Sequence, residues 1–282
     1  MKQYLATLQH VLDNGELRED RTGTGTISVF GHQSRYNLAL GFPAVTTKKL
    51  AWRQVVSELL WFLEGSGDER RLAEILHGTR DADKKTIWTA NAEADYWKNK
   101  AQYEGDLGRV YGKQMRSWLR PDGTTVDQIT NLINSIKQDP YSRRHLVVNY
   151  NPGEIEQMAL PPCHVLSQFY VSADGKLSCQ LFQRSVDQFL GCPFNIASYS
   201  LLTYMIAHVC DLEVGEFIHS MGDTHIYLTH VNAVKEQLTR IPYALPKLWL
   251  NPSVKSIFDF TMDDIRLIDY QCHAPILAPM AV

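Results

Sequence analysis

Apolar residues recur at helical intervals in several parts of the chain. In the N-terminal segment, Leu5, Leu8 and Val11 fall on one face before Asn14-Gly15, which is typical of a helix end. A later segment is apolar almost all round and predicts a buried helix at residues 195–210. Together the patterns predict helices at residues 2–14, 50–63, 125–137, 195–210 and 229–239.

Extended segments are predicted between these helices, at residues 27–30, 145–150, 164–171, 176–183, 214–220 and 224–228. Ala173-Asp174-Gly175 is a hairpin turn between two of them. Residues 78–104 are polar and charged, and we expect helical pieces and loops near the surface there, with Trp88 and Trp97. Because helices and strands do not alternate strictly, residues 1–282 are predicted to form a single α+β domain, with 66–104 as a variable, partly helical insert.

Composition and charge narrow the classes of partner and location. The 282 residues carry a formal net charge of -3, so neither nucleic acid nor a membrane surface is an expected partner. No apolar run is long enough to span a bilayer, and Met1-Lys2-Gln3-Tyr4 does not begin a signal peptide. Five widely spaced cysteines without a C-x-x-C pair predict reduced thiols in a cytoplasmic protein, and no zinc site.

Cys163 is the first candidate for chemistry. It follows Pro161-Pro162, which stiffen the backbone, and precedes a predicted strand. Taken alone, a free cysteine is more often a small buried hydrophobe than a nucleophile. Arg184 on the next strand could return beside Cys163 and favour its thiolate. His164 would point to the opposite face of its strand, which makes it a poor general base for Cys163.

Arginines at the junctions of predicted elements form a second group. Arg21 lies in a Gly/Thr loop, Arg143-Arg144 follow a serine, and Arg184 precedes Ser185. Each alone is more often a solvated surface charge. Guanidinium groups with hydroxyls close by nevertheless suit a phosphate dianion. The glycines form no P-loop, so a nucleoside triphosphate is not indicated.

Further polar residues stand in apolar or strand contexts. Glu58 lies within a run of large apolar residues, where burial would raise its pKa toward neutrality and suit proton transfer; it could equally face outward. Asn195 could cap a helix, or pair with an imide edge such as O4 and N3–H of uracil. His225 and Tyr227 alternate on a strand and share a face, so they could hold a sugar hydroxyl or be satisfied core residues.

A series of short motifs runs along the whole chain, from near residue 20 to the C-terminal Ala278-Pro279-Met280-Ala281-Val282. The motifs are Asp20-Arg21-Thr22-Gly23-Thr24-Gly25-Thr26, Glu58-Leu59-Leu60-Trp61-Phe62-Leu63, Tyr111-Gly112-Lys113-Gln114, Ser142-Arg143-Arg144, Leu160-Pro161-Pro162-Cys163-His164, Gln183-Arg184-Ser185, Pro193-Phe194-Asn195-Ile196-Ala197-Ser198-Tyr199 and Gly222-Asp223-Thr224-His225-Ile226-Tyr227. In content and order this set resembles the folate-dependent thymidylate synthase family.

The resemblance implies a mixed β-sheet packed by helices, with one face of the sheet at a homodimer interface. It also implies methylation of dUMP at C5 to give dTMP, with 5,10-methylenetetrahydrofolate as the one-carbon and hydride donor and no metal. Cys163 would attack C6 of the uracil, so that one difficult step is replaced by two easier ones.

By motif, the resemblance assigns a role to each candidate. Catalytic roles fall to Cys163, Glu58, Arg184, Asn195, Tyr111 and His164. The nucleotide would be bound by Arg21, Gln183, Ser185, Asp187, Asn195, His225 and Tyr227, with Arg143 and Arg144 reaching in from the partner subunit. The folate would contact Ile87, Trp88, Asp187 and Val282.

Several positions depart from the family pattern. Gly108-Arg109 stands in place of Gly-Pro, Met115 in place of tryptophan, Val148-Asn149-Tyr150 in place of Ser-Ala-Trp, Thr89 in place of a frequent aspartate, and Cys272-His273-Ala274 lacks the usual prolines. Such changes bear on how well the folate side of the site excludes water.

Pyrimidine hydroxymethylases share the scaffold and use water instead of hydride, so 5-hydroxymethyl-dUMP is the alternative product. A catalytically idle nucleotide- or RNA-binding dimer is a third hypothesis, which Cys163, Glu58, Asn195 and the acidic charge disfavour.

Overall fold

Helices and strands occur along the whole chain in no strict alternation. The computed structural model describes residues 1–20 and 23–279. The helices are α1 (Lys2–Asn14), α2 (Trp52–Leu63), α3 (Glu69–His77), α4 (Thr89–Ala92), α5 (Tyr111–Ser117), α6 (Gln128–Gln138), α7 (Gly191–Val209) and α8 (Val231–Leu238). The strands are β1 (Glu16–Arg18), β2 (Thr26–Asn37), β3 (Trp118–Leu119), β4 (Thr125–Val126), β5 (Leu146–Val148), β6 (His164–Val171), β7 (Lys176–Asp187), β8 (Glu213–Tyr227), β9 (Lys247–Leu250) and β10 (Ile265–Ile268).

Six strands form one mixed sheet in the order β1-β2-β8-β7-β6-β5. Neighbouring strands are antiparallel except β7 and β8, which run parallel and are connected by α7. β6 and β7 form the hairpin predicted around Ala173-Asp174-Gly175. Its register pairs His164 with Gln183, and therefore brings the residue before His164 close to the residue after Gln183. The hairpin thus sets Cys163 beside Arg184.

The apolar core lies between the sheet and the helices packed on it, chiefly α2 and α7. Every residue of α2 from Val55 to Leu63 is buried, including Glu58. Fully burying a large apolar side chain stabilises a fold by about 1.5–3 kcal/mol, so this run fixes α2 firmly against the core. A helix held in this way delivers the carboxyl group of Glu58 to the interior.

The predicted α+β class and mixed sheet are confirmed. The predicted helices are present with shifted ends: those predicted at 50–63 and 195–210 begin at Trp52 and Gly191. The extended segments at 214–220 and 224–228 are parts of one strand, β8. The expected surface position of Trp88 and Trp97 is wrong. Both side chains are buried, because each indole N–H finds an acceptor inside the protein.

One face of the sheet is open in the single chain. Tyr170 on β6 and Phe182 on β7 are 65% and 39% exposed, while the residues that flank them in sequence are buried. Aromatic side chains on an uncovered sheet face are typical of an interaction surface. The predicted homodimer would cover this face and stays a prediction. Within the described residues, no helix combines the length and the apolar character required to cross a membrane.

Candidate active site

Cys163 is the last residue before β6, and its backbone is fixed on both sides. Its N–H donates to the hydroxyl of Tyr111 at 2.7 Å, and its carbonyl accepts the backbone N–H of Arg184 at 2.9 Å. The thiol itself is half-buried. A stiff backbone after Pro161-Pro162 and a side chain that remains accessible are what a positioned nucleophile requires.

Arg184 lies against Cys163, as the sequence predicts. The guanidinium donates from Nε to the carbonyl of Pro162 and from Nη2 to that of Pro161, both at 2.9 Å. Nη2 is also 3.8 Å from Cys163 Sγ. A fixed positive charge at this distance stabilises a thiolate relative to a thiol. Gly222 on β8 permits the arrangement, since a Cβ there would lie 2.8 Å from the Arg184 carbonyl oxygen.

His164 is buried between two aromatic rings. Its ring centroid is 5.1 Å from the centroids of both Tyr111 and Tyr199. Burial lowers the pKa of His164 to about 4, although a hydrogen bond with Asn195 acts in the opposite direction. The imidazole is therefore neutral near pH 7. This suits a group that orients its neighbours better than one that removes a proton.

Glu58 faces into the protein, so the alternative that it points outward is wrong. Only 7% of the residue is exposed, and its Oε1 accepts the indole N–H of Trp88 at 2.7 Å. Burial raises the pKa of Glu58 to about 7, and the bond from Trp88 offsets only part of that rise. A carboxyl group poised near neutrality can both accept and donate a proton at physiological pH.

Tyr111 connects Glu58 to the cysteine. The rings of Trp88 and Tyr111 meet edge to face with centroids 5.8 Å apart, and the Tyr111 hydroxyl accepts the N–H of Cys163. Burial, and next the proximity of Cys163, raises the pKa of Tyr111 well above its ordinary value, so the phenol keeps its proton. Ile87, which precedes Trp88, is by contrast 51% exposed.

Asn195 lies inside α7 and does not cap it, because the helix begins at Gly191. Its Oδ1 accepts Nε2–H of Gln183 at 3.0 Å, and the Oε1 of Gln183 is 2.9 Å from His219 Nε2. This chain fixes which end of the Asn195 amide is the acceptor. An amide oriented in this way presents a donor and an acceptor to a planar imide.

His225 and Tyr227 are neighbours on β8, as alternation predicts. Their ring centroids are 5.1 Å apart and nearly perpendicular. His225 Nδ1–H donates to Asp223 Oδ1 at 2.9 Å, which leaves Nε2 of that tautomer as an acceptor. The sequence analysis missed Asp223, although its position two residues before His225 on the strand was a usable signal.

The predicted phosphate-binding residues are brought together only in part. Ser185 is half-buried near Arg184, and its carbonyl accepts Gln183 Nε2–H at 3.0 Å. Arg143 and Arg144 are exposed before β5, and within the described residues they do not join the Cys163 cluster. That separation is what a contribution from the partner subunit would require, and the contribution stays a prediction. Arg21 lies outside the described residues.

Asp187 ends β7 beside the C-terminal segment. Its Oδ1 accepts the N–H of Phe189 at 2.9 Å and is 3.7 Å from His230 Nδ1. Burial opposes ionisation, but His230 and the backbone bond hold the pKa of Asp187 below its ordinary value. His230 Nε2–H donates to the carbonyl of Pro279 at 2.7 Å and so ties down the C-terminal segment. Sequence reasoning missed His230, for which no local pattern existed; Val282 lies outside the described residues.

The departures from the family pattern are accommodated by polar contacts at Arg109 and Asn149 and by burial at Met115. Arg109 Nε is 2.8 Å from Glu154 Oε1, and this partly buried ion pair stands where a proline is usual. Asn149 Nδ2 donates to the carbonyl of His164 at 3.3 Å, and Met115 is 1% exposed in the core. The described residues include no group of three or more His, Cys, Asp or Glu side chains placed to hold a metal ion. The predicted absence of a metal stays a prediction.

Comparison with protein families gives a match over almost the entire chain. The model of the thymidylate synthase family matches residues 2–282. The match includes every residue of the site described above. It agrees with the resemblance found in the motifs.

Proposed function

The chain belongs to the thymidylate synthase family, and from this premise we propose that it converts dUMP and 5,10-methylenetetrahydrofolate to dTMP and dihydrofolate. Family membership supports one-carbon chemistry at C5 of dUMP, either methylation or hydroxymethylation, with that folate as the donor. The observation that carries the proposal is a continuous set of contacts from Glu58 through Trp88 and Tyr111 to Cys163. It links a carboxyl group poised near neutrality to a thiol beside a guanidinium.

Cys163 would act as the nucleophile. Its thiolate forms a bond from Sγ to C6 of the uracil, and the electron pair moves to C5 and O4, which makes C5 nucleophilic. Asn195 would pair with O4 and N3–H, and so hold the ring against Cys163. Once C5 has gained the one-carbon unit, its proton must leave, and Glu58 would manage this transfer through water. The electron pair left by that proton would release the folate amine from the one-carbon unit. After hydride, or water in the alternative, has added to that unit and returned an electron pair to C5, expulsion of the thiolate restores the ring double bond.

The nucleotide would be oriented by groups on β7 and β8. Arg184 and Ser185 suit the phosphate, together with Arg21 and with Arg143 and Arg144 from the partner subunit. His225 and Tyr227 would hold the 3′-hydroxyl. Because Asp223 fixes the imidazole of His225, the acceptor nitrogen faces away from the carboxylate.

The folate side fits the residues present. Asp187 is held ionised and can accept N–H groups of a pterin, while Trp88 supplies an aromatic wall. The folate supplies the one-carbon unit and, for a methyl product, the hydride. Exclusion of water there falls to Trp88 and to the C-terminal segment that His230 ties to the core.

Hydroxymethylation is the second candidate. Asn149 and Arg109 place polar groups where the family pattern has other residues, and polar groups favour retained water. The experiment is to incubate the protein with dUMP and methylenetetrahydrofolate, following dihydrofolate absorbance and the mass of the nucleotide product. We expect dTMP and dihydrofolate in equal amounts. A 5-hydroxymethyl product formed without dihydrofolate would overturn the synthase assignment.

The Asn195→Asp variant is expected to gain activity on dCMP relative to dUMP, by about tenfold or more. An aspartate accepts from the cytosine amino group, whereas Asn195 matches O4 of uracil. The ratio of kcat/KM for the two nucleotides measures the change. The Asn134→Asp variant, at an exposed position of α6, is the matched control and should leave the ratio unaltered. An unchanged ratio in Asn195→Asp would contradict the edge-reading role.

A homodimer is the proposed assembly. The open sheet face with Tyr170 and Phe182, and the exposure of Arg143 and Arg144, support it. A cytoplasmic location is proposed from the reduced thiols that the cysteine spacing predicts.

A further inference from the structure

Glu69 is a buried carboxylate at the start of α3, outside the site described above. It is 1% exposed and forms a fork with Arg70, whose Nε and Nη2 donate to Oε2 and Oε1 at 2.6 and 2.7 Å. The same guanidinium also donates to the carbonyls of Asp81 and Lys84, at 2.8 and 3.1 Å. A buried charge is tolerated only when it is paired and hydrogen-bonded. The ion pair meets this condition, and its bonds to the two carbonyls hold the segment that follows α3 in place.

Two threonine hydroxyls complete the surroundings of Glu69. Thr86 and Thr89 each donate from Oγ1 to Glu69 Oε1 at 2.6 Å. Each hydroxyl proton is used in the bond to the carboxylate, and each hydroxyl oxygen in turn accepts a backbone N–H. Trp88 N–H donates to Thr86 Oγ1 at 3.1 Å, and Thr86 N–H donates to Thr89 Oγ1 at 2.8 Å. These four bonds define the Trp88 turn, residues 86–89.

The Trp88 turn aims the indole at Glu58. The indole Nε1–H donates to Glu58 Oε1 at 2.7 Å, and the ring packs against Trp61 and Tyr111. An indole has one donor and no acceptor, so a small rotation of the turn would leave this N–H and Glu58 unpaired. A buried donor or acceptor without a partner raises the free energy of the folded protein. The position of the turn therefore determines whether the bond forms.

We propose that Glu69 is a positioning residue, which acts through Thr86 and Thr89 to hold Trp88 in its hydrogen bond with Glu58. The family pattern often has aspartate at position 89. Here Glu69 brings a carboxylate to the threonine from a different helix. The structural part of this inference stands on the contacts alone. Its catalytic consequence, a drier folate side, rests on the proposed function.

The structural part is tested with ¹⁵N-labelled indoles. The chain has six tryptophans, and a Trp88→Phe sample identifies the Trp88 resonance. In the Thr86→Val/Thr89→Val double variant, we expect this resonance to shift and its N–H to exchange with solvent about tenfold faster. Thr7→Val removes a hydroxyl from another buried threonine and is the matched control, expected to change neither quantity. Thr89→Ser keeps the hydroxyl and should behave as wild type.

An unchanged Trp88 resonance and exchange rate in the folded double variant would overturn the proposal. If that variant does not fold, Thr89→Val decides, since it leaves Thr86 bound to Glu69 and should show a smaller change in the same direction; no change there is equally negative. In turnover, Thr89→Val should raise the KM for folate and the hydroxymethyl fraction, while the KM for dUMP stays within about twofold. Wild-type protein that converts no dUMP would refute the proposed function, whereas the indole measurement would still decide whether the threonine hydroxyls bound to Glu69 hold Trp88 in place.

Discussion

Replacing Cys163 by alanine is expected to lower the turnover of dUMP by at least about 10⁴-fold. The methyl group of alanine cannot form the bond to C6, so C5 never becomes nucleophilic and no other residue can supply that activation. Arg184 would remain in place, since its bonds to the carbonyls of Pro161 and Pro162 do not involve the thiol. Nucleotide binding should therefore survive while chemistry is lost. The steady-state rate and the dissociation constant for dUMP, measured on the same sample, separate the two.

The covalent adduct gives a direct readout of the same variant. With 5-fluoro-dUMP and methylenetetrahydrofolate, C5 carries fluorine in place of the proton that must leave, so the adduct accumulates. The intact wild-type protein should gain the mass of both molecules, and Cys163→Ala should gain none. Cys210→Ala is the matched control, because Cys210 is also partly buried but follows α7 away from the site. An adduct on Cys163→Ala would show that another residue is the nucleophile.

Local patterns predicted the elements and the hairpin that creates the site. The turn Ala173-Asp174-Gly175 joins two segments that alternate in character, so the register of β6 and β7 follows from the sequence. That register alone places Cys163 near Arg184. The buried state of Glu58 was left open, because a single helix cannot tell which neighbours will cover it. Nine consecutive residues of α2 are buried, so the helix is covered on every side. An amphipathic pattern predicts only one buried face and could not indicate this.

Contacts between segments far apart in sequence could not be predicted from local sequence patterns. Trp88 was expected near the surface because its segment is polar and charged. The segment is instead held from α3, where Glu69 and Arg70 form a buried ion pair and Glu69 binds the turn that buries the indole. In the same way, His230 meets Pro279 across 49 residues of chain. The motif resemblance supplied roles for Glu58 and Trp88, but not the Glu69 contacts that hold them together.

Replacing Glu58 by glutamine is expected to lower kcat by about 10²–10⁴-fold, the usual contribution of a positioned acid or base. Glutamine has nearly the same shape, and its amide oxygen can still accept the Trp88 indole N–H. The loss is therefore of proton transfer rather than of architecture. Formation of the Cys163 adduct with 5-fluoro-dUMP should be reduced less than turnover, since the later loss of the C5 proton needs Glu58 most. Equal activity of Glu58→Gln and wild type across pH 6–9 would remove Glu58 from the mechanism.

The same substitution should stabilise the fold at high pH. The carboxyl pKa is raised from 4.5 to about 7 in the folded protein. Between these values the folded state keeps a proton that the unfolded state has lost, so ionisation costs folding free energy as pH rises through this window. At about 1.4 kcal/mol per pKa unit, the cost reaches about 3 kcal/mol above pH 7 and is absent below pH 4.5.

Urea unfolding of wild type and Glu58→Gln at pH 5 and pH 8 tests this sign. The free energy of unfolding of Glu58→Gln minus that of wild type is the quantity to compare. We expect this difference to be about 2–3 kcal/mol larger at pH 8 than at pH 5. Other titrating groups are common to both proteins and cancel in the difference. Glu156→Gln makes the same change at an exposed glutamate and should show no such pH dependence. A pH-independent difference for Glu58→Gln would mean that Glu58 is ionised throughout. In that case Glu58 could accept the C5 proton only as an ordinary carboxylate, and its proposed role as both acid and base near neutral pH would be contradicted.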